Sequence, residues 1–398
     1  FSDGEEKPVP VLTNRMLVTE TLPLPIRGSQ SKIYTLDKLK NNTSTTLKNH
    51  KLTLEFTSNP AWYAVQALPY LMEYPYDCAE QTFSKYYANT IATHIANSSP
   101  KIQEVFKSWE NSSPEAFLSN LEKNQELKAV VLEETPWVLQ AKSESERKKR
   151  VGLLFNLVKM SKEQNKALSR LQNMQKPSGG WPWFDGMPES RYITQHVASG
   201  MGHLDKLGIK DVRQNAKTWQ MVQNAVRYLD NEILDDYKGL KSWKTNLNED
   251  NIGSMQIQYL YMRSFFLDIP FQNKEAYNYY FGQAKKYWTN KSQYMQAMIS
   301  LAMHRSTETK TATDIIASLK EYSIENEEMG MYWKQNAGYY WYEAPIETQA
   351  LFIEAFGEIT KDEKSVESMK VWLLKQKQTQ DWKTTRATTE ACYALLLQ

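Results

Sequence analysis

The residue types best suited to covalent chemistry lie in one short segment, Tyr74-Pro75-Tyr76-Asp77-Cys78-Ala79-Glu80-Gln81-Thr82-Phe83-Ser84. Asp77 is a residue type that caps helices, which predicts a helix whose first residue is Cys78. A helix start stabilises a thiolate, so we expect the pKa of Cys78 to be lowered. Gln81 follows three residues later and shares a helical face with Cys78. A thiolate beside a carboxamide in a dry pocket can displace ammonia and leave a thioester, which survives only when water is excluded.

The same spacing has a simpler interpretation. A single cysteine near a helix start is usually a small buried hydrophobic residue, and the Cys–Gln spacing alone favours that reading. Glu80 is equally open: it either holds the turn or assists proton movement, or it is a solvated carboxylate favoured by the helix dipole. With 12 Trp and 23 Tyr, however, the chain contains enough rings to line a shielded pocket.

The elements that must position this segment change character near residue 59. Residues 1–59 contain the alternating run Lys51 to Thr57, which predicts a half-buried strand and a small β segment. From residue 60 the apolar spacing is helical, for example over Trp219 to Leu229 and over Ile346 to Phe356. Roughly 340 residues of this kind accommodate about a dozen helices.

A faint repeat runs through the helical part. Its three copies are centred on Gly179-Gly180-Trp181-Pro182-Trp183-Phe184, on Tyr339-Tyr340-Trp341-Tyr342 and on Asp381-Trp382, and each is followed by a new helix. Helical hairpins that each bury one face stack into a ring or a solenoid. We predict a mainly α chain that closes into an α/α toroid, with the aromatic loops at one end of the ring.

Composition excludes several classes of protein. The chain has 398 residues with 48 basic and 46 acidic side chains, a net charge of +2 that gives no reason to expect nucleic acid or an anionic membrane as the main partner. Mean hydropathy is −0.62, and no run of 18 apolar residues is present. Two cysteines do not make a disulfide framework, and no His/Cys/Asp set has metal-binding spacing, so we predict neither a metal nor a cofactor.

The segment from Tyr74 to Ser84 resembles the thioester signature of the bacterial α2-macroglobulin family, in which Cys-x-Glu-Gln follows a Tyr-Pro-Tyr lead-in. Three further segments resemble parts of the same family in the expected order: Gly179 to Phe184 with Arg191 to His196, Trp341 to Thr348, and Trp382 to Thr388. The resemblance extends from about residue 60 to the C-terminus. The cysteine motif is highly specific, and the other segments support it.

The resemblance implies a role for the chain. Residues 60–398 would be the thioester domain, an α/α toroid, and residues 1–59 part of a neighbouring β domain split by the toroid. The chain begins at Phe1 without Met, and we expect a fragment of a longer protein whose missing part holds macroglobulin-like β domains and a bait region. Such proteins are broad-spectrum endopeptidase inhibitors. An attacking protease is trapped when its surface Lys amine attacks the Gln81 acyl carbon, a single-turnover acyl transfer and not enzymatic turnover.

By the same resemblance, the site residues are the Cys78–Gln81 cross-link with Glu80, and the thioester pocket includes Tyr76, Trp341, Tyr342 and His196. Some complement relatives use a relay histidine in a later hairpin, which corresponds to residues 251–261 here. The run Asn251-Ile252-Gly253-Ser254-Met255-Gln256 contains no histidine, which favours amines over hydroxyls as attacking groups. We expect the protein in the periplasm or cell envelope of a Gram-negative bacterium, lipid-anchored through the missing N-terminus, where it defends against host or competitor proteases.

Several of these residues also have purely structural interpretations. His196 and His203 suit buried, hydrogen-bonded positions, and the rings of residues 339–342 suit core packing. Asp235-Asp236 resembles a carboxylate pair but also suits a solvated helix end. Two other functions therefore remain open: an α/α-toroid enzyme like the terpene cyclases, with a deep apolar central cavity, or a protein-interaction module in which no thioester forms.

Overall fold

The computed structural model describes residues 31–49, 61–98, 157–327, 329–334, 343–377 and 384–397, and the single residues 22, 24, 26, 52, 54, 341 and 382. The chain divides into two compact units, residues 1–58 with 113–146 and residues 59–112 with 147–398. The predicted strand Lys51 to Thr57 lies almost entirely outside the described residues, and the domain boundary at residue 59 stays a prediction.

In the first unit, the described residues contain one short helix, α1 (Asp37–Lys40). In the described part of the second unit there are thirteen α-helices: α2 (Ala61–Glu73), α3 (Ala79–Ser98), α4 (Leu157–Met174), α5 (Arg191–Lys206), α6 (Asp211–Gln214), α7 (Ala216–Ser242), α8 (Ser254–Arg263), α9 (Lys274–Tyr287), α10 (Gln293–Arg305), α11 (Thr309–Glu321), α12 (Pro345–Ala355), α13 (Glu363–Lys375) and α14 (Thr385–Leu396). Strands β1 (Ile324–Asn326) and β2 (Gly330–Tyr332) pair antiparallel, with Glu325 opposite Met331. A 3₁₀ turn (Trp288–Asn290) follows α9, and a π-helical turn (Phe356–Thr360) follows α12.

The second unit is a closed ring of paired helices. Its inner helices pack each on the next in the order α3, α5, α8, α10, α12 and α14, and α14 packs back on α3. The outer helices α2, α4, α7, α9, α11 and α13 each pack against at least one inner helix. Setting aside the single turn α6, twelve helices of the described residues form the ring, which confirms the prediction of a mainly α chain and an α/α toroid.

The sequence repeat has a structural counterpart where inner helices begin. Trp181 and Trp382 are fully buried, and each indole N–H donates to a carbonyl of the preceding outer helix, at 2.9 and 2.7 Å. The backbone N–H groups of the same tryptophans donate to the hydroxyls of Thr194 and Thr388 in the inner helix that follows, at 2.8 and 3.0 Å. These two copies of the repeat thus each fasten an outer helix to an inner one while satisfying the polar edge of the indole.

Side-chain caps start the inner helices that matter for the site. Ser190 accepts a hydrogen bond from the backbone N–H of Ile193 and begins α5, and Thr384 accepts one from Ala387 and begins α14. Pro345 occupies the first turn of α12, where its missing N–H costs nothing. These features fix the N-terminal ends of α5, α12 and α14, and of these helices α5 and α14 pack on α3, which begins beside Cys78.

Candidate functional site

Cys78 lies immediately before α3, the first inner helix. The N–H of Thr82 donates to the Cys78 carbonyl at 2.9 Å, so Cys78 occupies the capping position and α3 begins one residue later than the sequence predicted. The N–H of Ala79 donates to the carbonyl of Trp183 at 2.9 Å, which joins this turn to the first aromatic loop. Cys78 is only 4% exposed, so its thiol is shielded from water.

The prediction of a lowered thiol pKa is wrong. Burial raises the pKa of Cys78, and the nearby charge of Glu80 raises it further, while the backbone N–H groups of Gln81 and Glu80 offset only part of the effect. The exposed carboxylate of Asp77 accepts a 2.8 Å hydrogen bond from Lys85, which lowers the pKa of Asp77. The helix start is electropositive, but the cost of a buried thiolate is larger.

Gln81 lies in the first turn of α3, three residues after Cys78. Its side-chain oxygen Oε1 is buried and has no hydrogen-bond partner among the described residues. A buried, unpaired amide oxygen costs about 1–3 kcal/mol and calls for an explanation. Residues 78–81, which we call the reactive turn after the chemistry expected of them, therefore place a shielded thiol and a carboxamide with an unpaired oxygen on one helical face.

Glu80 fastens the reactive turn to the last inner helix. Thr385, the first residue of α14, donates to the Glu80 carboxylate at 2.9 Å, and Ser84 donates to it at 3.1 Å. Burial raises the pKa of Glu80, although both hydroxyl donors and the charge of Arg386 oppose the rise. The side chain is neither solvated nor free to rotate, so the solvated-carboxylate interpretation does not hold.

The neighbouring helix α5 holds the opposite side of α3. The Phe83 ring, fully buried, meets the His196 ring edge-on at 5.9 Å between centroids. A β-carbon at Gly200 would lie 2.3 Å from the Phe83 ring, so only glycine permits this approach. Burial lowers the pKa of His196 to about 3, and its Nε2 has no partner among the described residues. The imidazole is buried and neutral, beside the first turn of α3.

Aromatic rings extend from the first copy of the repeat, beside the reactive turn, to the second copy. Trp183 stacks on Tyr192 at 5.9 Å, Tyr192 lies 5.5 Å from Trp341, and Trp341 lies 5.9 Å from Tyr294. We call these four rings the aromatic chain. Two of the predicted aromatic loops therefore meet at one end of the ring, as the repeat indicated.

The remaining pocket candidates are more dispersed. Tyr76 is 65% exposed, and its ring lies 5.8 Å from Tyr74 at the surface. Tyr342, like Tyr339 and Tyr340, lies outside the described residues. Sequence reasoning missed Thr385 and the neighbouring Arg386. Arg386 is the one basic side chain in the α14 sequence, and this was the signal that could have found it.

The axis of the ring is filled by a polar network that takes side chains from five inner helices. Tyr261 and Tyr393 each donate to the Glu354 carboxylate at 2.6 Å, and Arg305 donates to it at the same distance. His203 stacks on Tyr393 at 3.9 Å. The terpene-cyclase alternative required a deep apolar cavity, but hydrogen-bonded polar groups occupy the axis at this level.

The paired carboxylates of that alternative lie on α7. Asp236 accepts a 2.6 Å bond from Arg191, and Asp235 forms an exposed ion pair with Lys238. Across the part of the chain that the structure describes, three or more His, Cys, Asp or Glu residues nowhere converge as a metal site would require. Over the same residues, no helix is both long and apolar enough to cross a membrane.

Among known proteins, those similar to this chain are similar in fold. No family model and no curated protein matches the sequence. Two solved structures of Escherichia coli alpha-2-macroglobulin are similar to this chain. One, a cryo-EM reconstruction of the native conformation, shares 14% identity with a TM-score of 0.48, over 85% of this chain and 17% of that one. The other, a crystal structure from domain MG7 to the C-terminus, shares 13% identity with a TM-score of 0.49, over 85% of this chain and 42% of that one.

Proposed function

We propose that this chain forms an internal thioester between Cys78 and Gln81 and captures amines through it. The observation that carries the proposal is the buried, unpaired Oε1 of Gln81, three residues after a thiol that is 4% exposed. A thioester has no amide N–H₂ group, and its carbonyl is a weaker hydrogen-bond acceptor than an amide. Bond formation would therefore relieve part of the cost of burying Gln81 without a partner.

The bond forms in one balanced exchange. The Sγ of Cys78 attacks the Cδ of Gln81, a carbon–sulfur bond replaces the carbon–nitrogen bond, and the thiol proton leaves with the amide nitrogen as ammonia. Burial keeps the thiol protonated, so its proton must be moved during attack. Glu80 lies two residues after Cys78 and has a raised pKa, which would suit a group that moves this proton. Its three hydrogen-bond contacts instead favour a role in holding the turn.

The captured partner would be the surface amine of a protease. The amine nitrogen attacks the Gln81 acyl carbon, and an amide bond replaces the carbon–sulfur bond. A proton from the amine goes to the Cys78 sulfur, which is released as a thiol. By its sequence resemblance to the α2-macroglobulin family, the chain would act as part of a broad-spectrum protease inhibitor in a bacterial periplasm or cell envelope. Each molecule reacts once, so the chain would be an inhibitor and not a turnover enzyme.

Intact-mass measurement with peptide mapping tests the proposal. A chain with the thioester weighs about 17 Da less than its sequence, and a hydrolysed thioester leaves glutamate at position 81, about 1 Da heavier. Methylamine should add to position 81 and release one thiol. The Cys78→Ala variant should lose these products, whereas Cys392→Ala should retain them, because Cys392 is a second buried cysteine that donates to the carbonyl of Ala64 at 3.6 Å.

An unchanged amide at Gln81 in every molecule, together with an alkylatable Cys78, would refute the thioester. That result would favour the remaining alternative, a protein-interaction module with the same fold. Loss of the mass deficit in Cys392→Ala would also count against the assignment, since it would show that the deficit does not depend on Cys78 specifically.

A further inference from the structure

Arg386 is the second residue of α14 and lies against the aromatic chain. One guanidinium nitrogen donates to the backbone carbonyl of Trp341 at 2.9 Å, and another donates to the hydroxyl of Tyr294 at 3.0 Å. The guanidinium carbon lies 5.6 Å from the centre of the Trp341 ring. The planar group thus binds the backbone and the ring of one loop residue at once, a geometry that lysine cannot reproduce.

The residue before Arg386 binds the reactive turn. Thr385 donates to both oxygens of Glu80 at 2.9 Å, and Glu80 lies between Cys78 and Gln81 in the sequence. Adjacent residues at the start of α14 therefore hold two separate parts of the site. One holds the loop of residue 341, and the other holds the turn that carries the thiol and the carboxamide.

The contacts form a closed circuit, that is, a series of residue-to-residue contacts that starts on the reactive turn and returns to it. From the Ala79 N–H they pass to the carbonyl of Trp183, then from the Trp183 ring to the stacked Tyr192 ring and on to the Trp341 ring. Arg386 completes the circuit, because it joins Trp341 to α14, whose first residue returns to Glu80. The circuit therefore begins and ends on the turn that carries the thiol and the carboxamide.

We propose that Arg386 is a positioning residue that holds the aromatic chain closed beside the Cys78–Gln81 turn and so limits access of water and amines to it. The chemical consequence rests on the proposed thioester. The effect on access does not, because it applies equally to a free thiol at Cys78.

Charge supports this role. The titratable groups that influence Arg386 or are influenced by it come from five elements of the ring: Tyr192, His196, Tyr294, Glu80, Glu347 and Glu390. The Glu347 carboxylate lies 4.0 Å from the guanidinium. Without the Arg386 cation, the carboxyl groups of Glu80, Glu347 and Glu390 would lose the positive charge that compensates them. Entry of water would then offset part of the cost of burying them.

The test compares Arg386→Met, Arg386→Lys and Arg213→Met in the full 398-residue chain. Arg213 is the control, since its guanidinium also covers a tryptophan ring and is held by two hydrogen-bond partners, here the carboxylates of Asp205 on α5 and Asp268 after α8. If the thioester is present, the measurement is the rate of thiol release by methylamine and by a lysine-sized amine. If Cys78 is a free thiol, it is the rate of alkylation by iodoacetamide and by a bulkier maleimide.

We expect Arg386→Met to raise these rates by about tenfold or more, equivalent to about 1.4 kcal/mol, with Arg386→Lys intermediate and Arg213→Met unchanged. The larger reagent should gain more than the smaller one, and the rates of Arg213→Met measure any contribution from general destabilisation. Trp341→Ala should raise the rates too, and the double variant should add little. Unchanged rates in Arg386→Met, or an equal rise in Arg213→Met, would overturn the proposal. Absence of the thioester from the unaltered chain would refute the proposed function alone.

Discussion

Replacing Gly200 with alanine places one methyl group where α5 meets α3. The added carbon would lie 2.3 Å from two atoms of the Phe83 ring, whereas carbon atoms pack best at about 3.5–4.0 Å. The ring cannot easily turn away, because it is fully buried and lies 5.9 Å from His196 and 5.8 Å from Tyr87, centre to centre. The first turns of α3 must therefore move by about 1 Å, and the turn that carries Gln81 moves with them.

The magnitude follows from overpacking. Inserting a methyl group into a well-packed core typically costs about 1–3 kcal/mol. The same substitution in an open part of a helix is stabilising by about 0.5–1 kcal/mol. Gly282, exposed within α9, has no atom within 4 Å of the position that an added methyl group would take, and it supplies that reference. The difference between the two alanine variants therefore isolates the clash.

Denaturant unfolding followed by tryptophan fluorescence measures both free energies, with the dependence on denaturant checked for constancy. We expect Gly200→Ala to be destabilised and Gly282→Ala to be stabilised. Adding Phe83→Leu removes the clashing ring atoms, so the double variant should be more stable than the sum of the single changes by at least about 0.5 kcal/mol. If Gly200→Ala were as stable as Gly282→Ala, the close approach of α5 to Phe83 would be refuted.

Three further changes test other parts of the structure. Arg263→Met leaves the buried Asp230 carboxylate, 3.0 Å from the guanidinium, without a counter-charge; the unfolding free energy should fall by about 3–5 kcal/mol, and a loss under about 1 kcal/mol would contradict this. Burial raises the pKa of Glu390 from 4.5 to about 8, so the folded chain keeps a proton that the unfolded chain releases. The unfolding free energy of the wild type should therefore fall relative to that of Glu390→Gln between pH 5 and pH 8, and an equal pH dependence of the two free energies would disprove it. Glu80→Ala removes the acceptor for Thr385, so intact-mass measurement should find a smaller fraction of molecules that have lost one ammonia, about 17 Da. An unchanged fraction would argue against the holding role.

The ring was predictable because its signals are local. The apolar spacing of Trp219 to Leu229 and of Ile346 to Phe356 falls within α7 and at α12, and the repeated aromatic loops fall where inner helices begin. Hydrophobic periodicity and loop residues act over one or two turns of chain, so they can be recognised without knowing the neighbours. The predicted dozen helices followed from those signals together with chain length.

The pKa of Cys78 and the role of Glu80 were not predictable in the same way. A helix start lowers a thiol pKa when the thiol is solvated, but burial by distant segments reverses the direction here. Glu80 could be recognised as part of a motif, yet its partner Thr385 lies 305 positions away. No local pattern indicates which residue of the last helix will meet the first.

By itself, the amino-acid sequence indicated the helical ring and singled out Cys78 and Gln81 as candidate site residues, because periodicity and a short motif are properties of neighbouring residues. Only the tertiary structure decided that Cys78 is buried and that the Gln81 oxygen lacks a partner among the described residues. It also decided that Thr385 binds the reactive turn while Arg386 binds the aromatic chain. The physical reason is that burial, charge compensation and hydrogen-bond satisfaction depend on which helices meet when the ring closes.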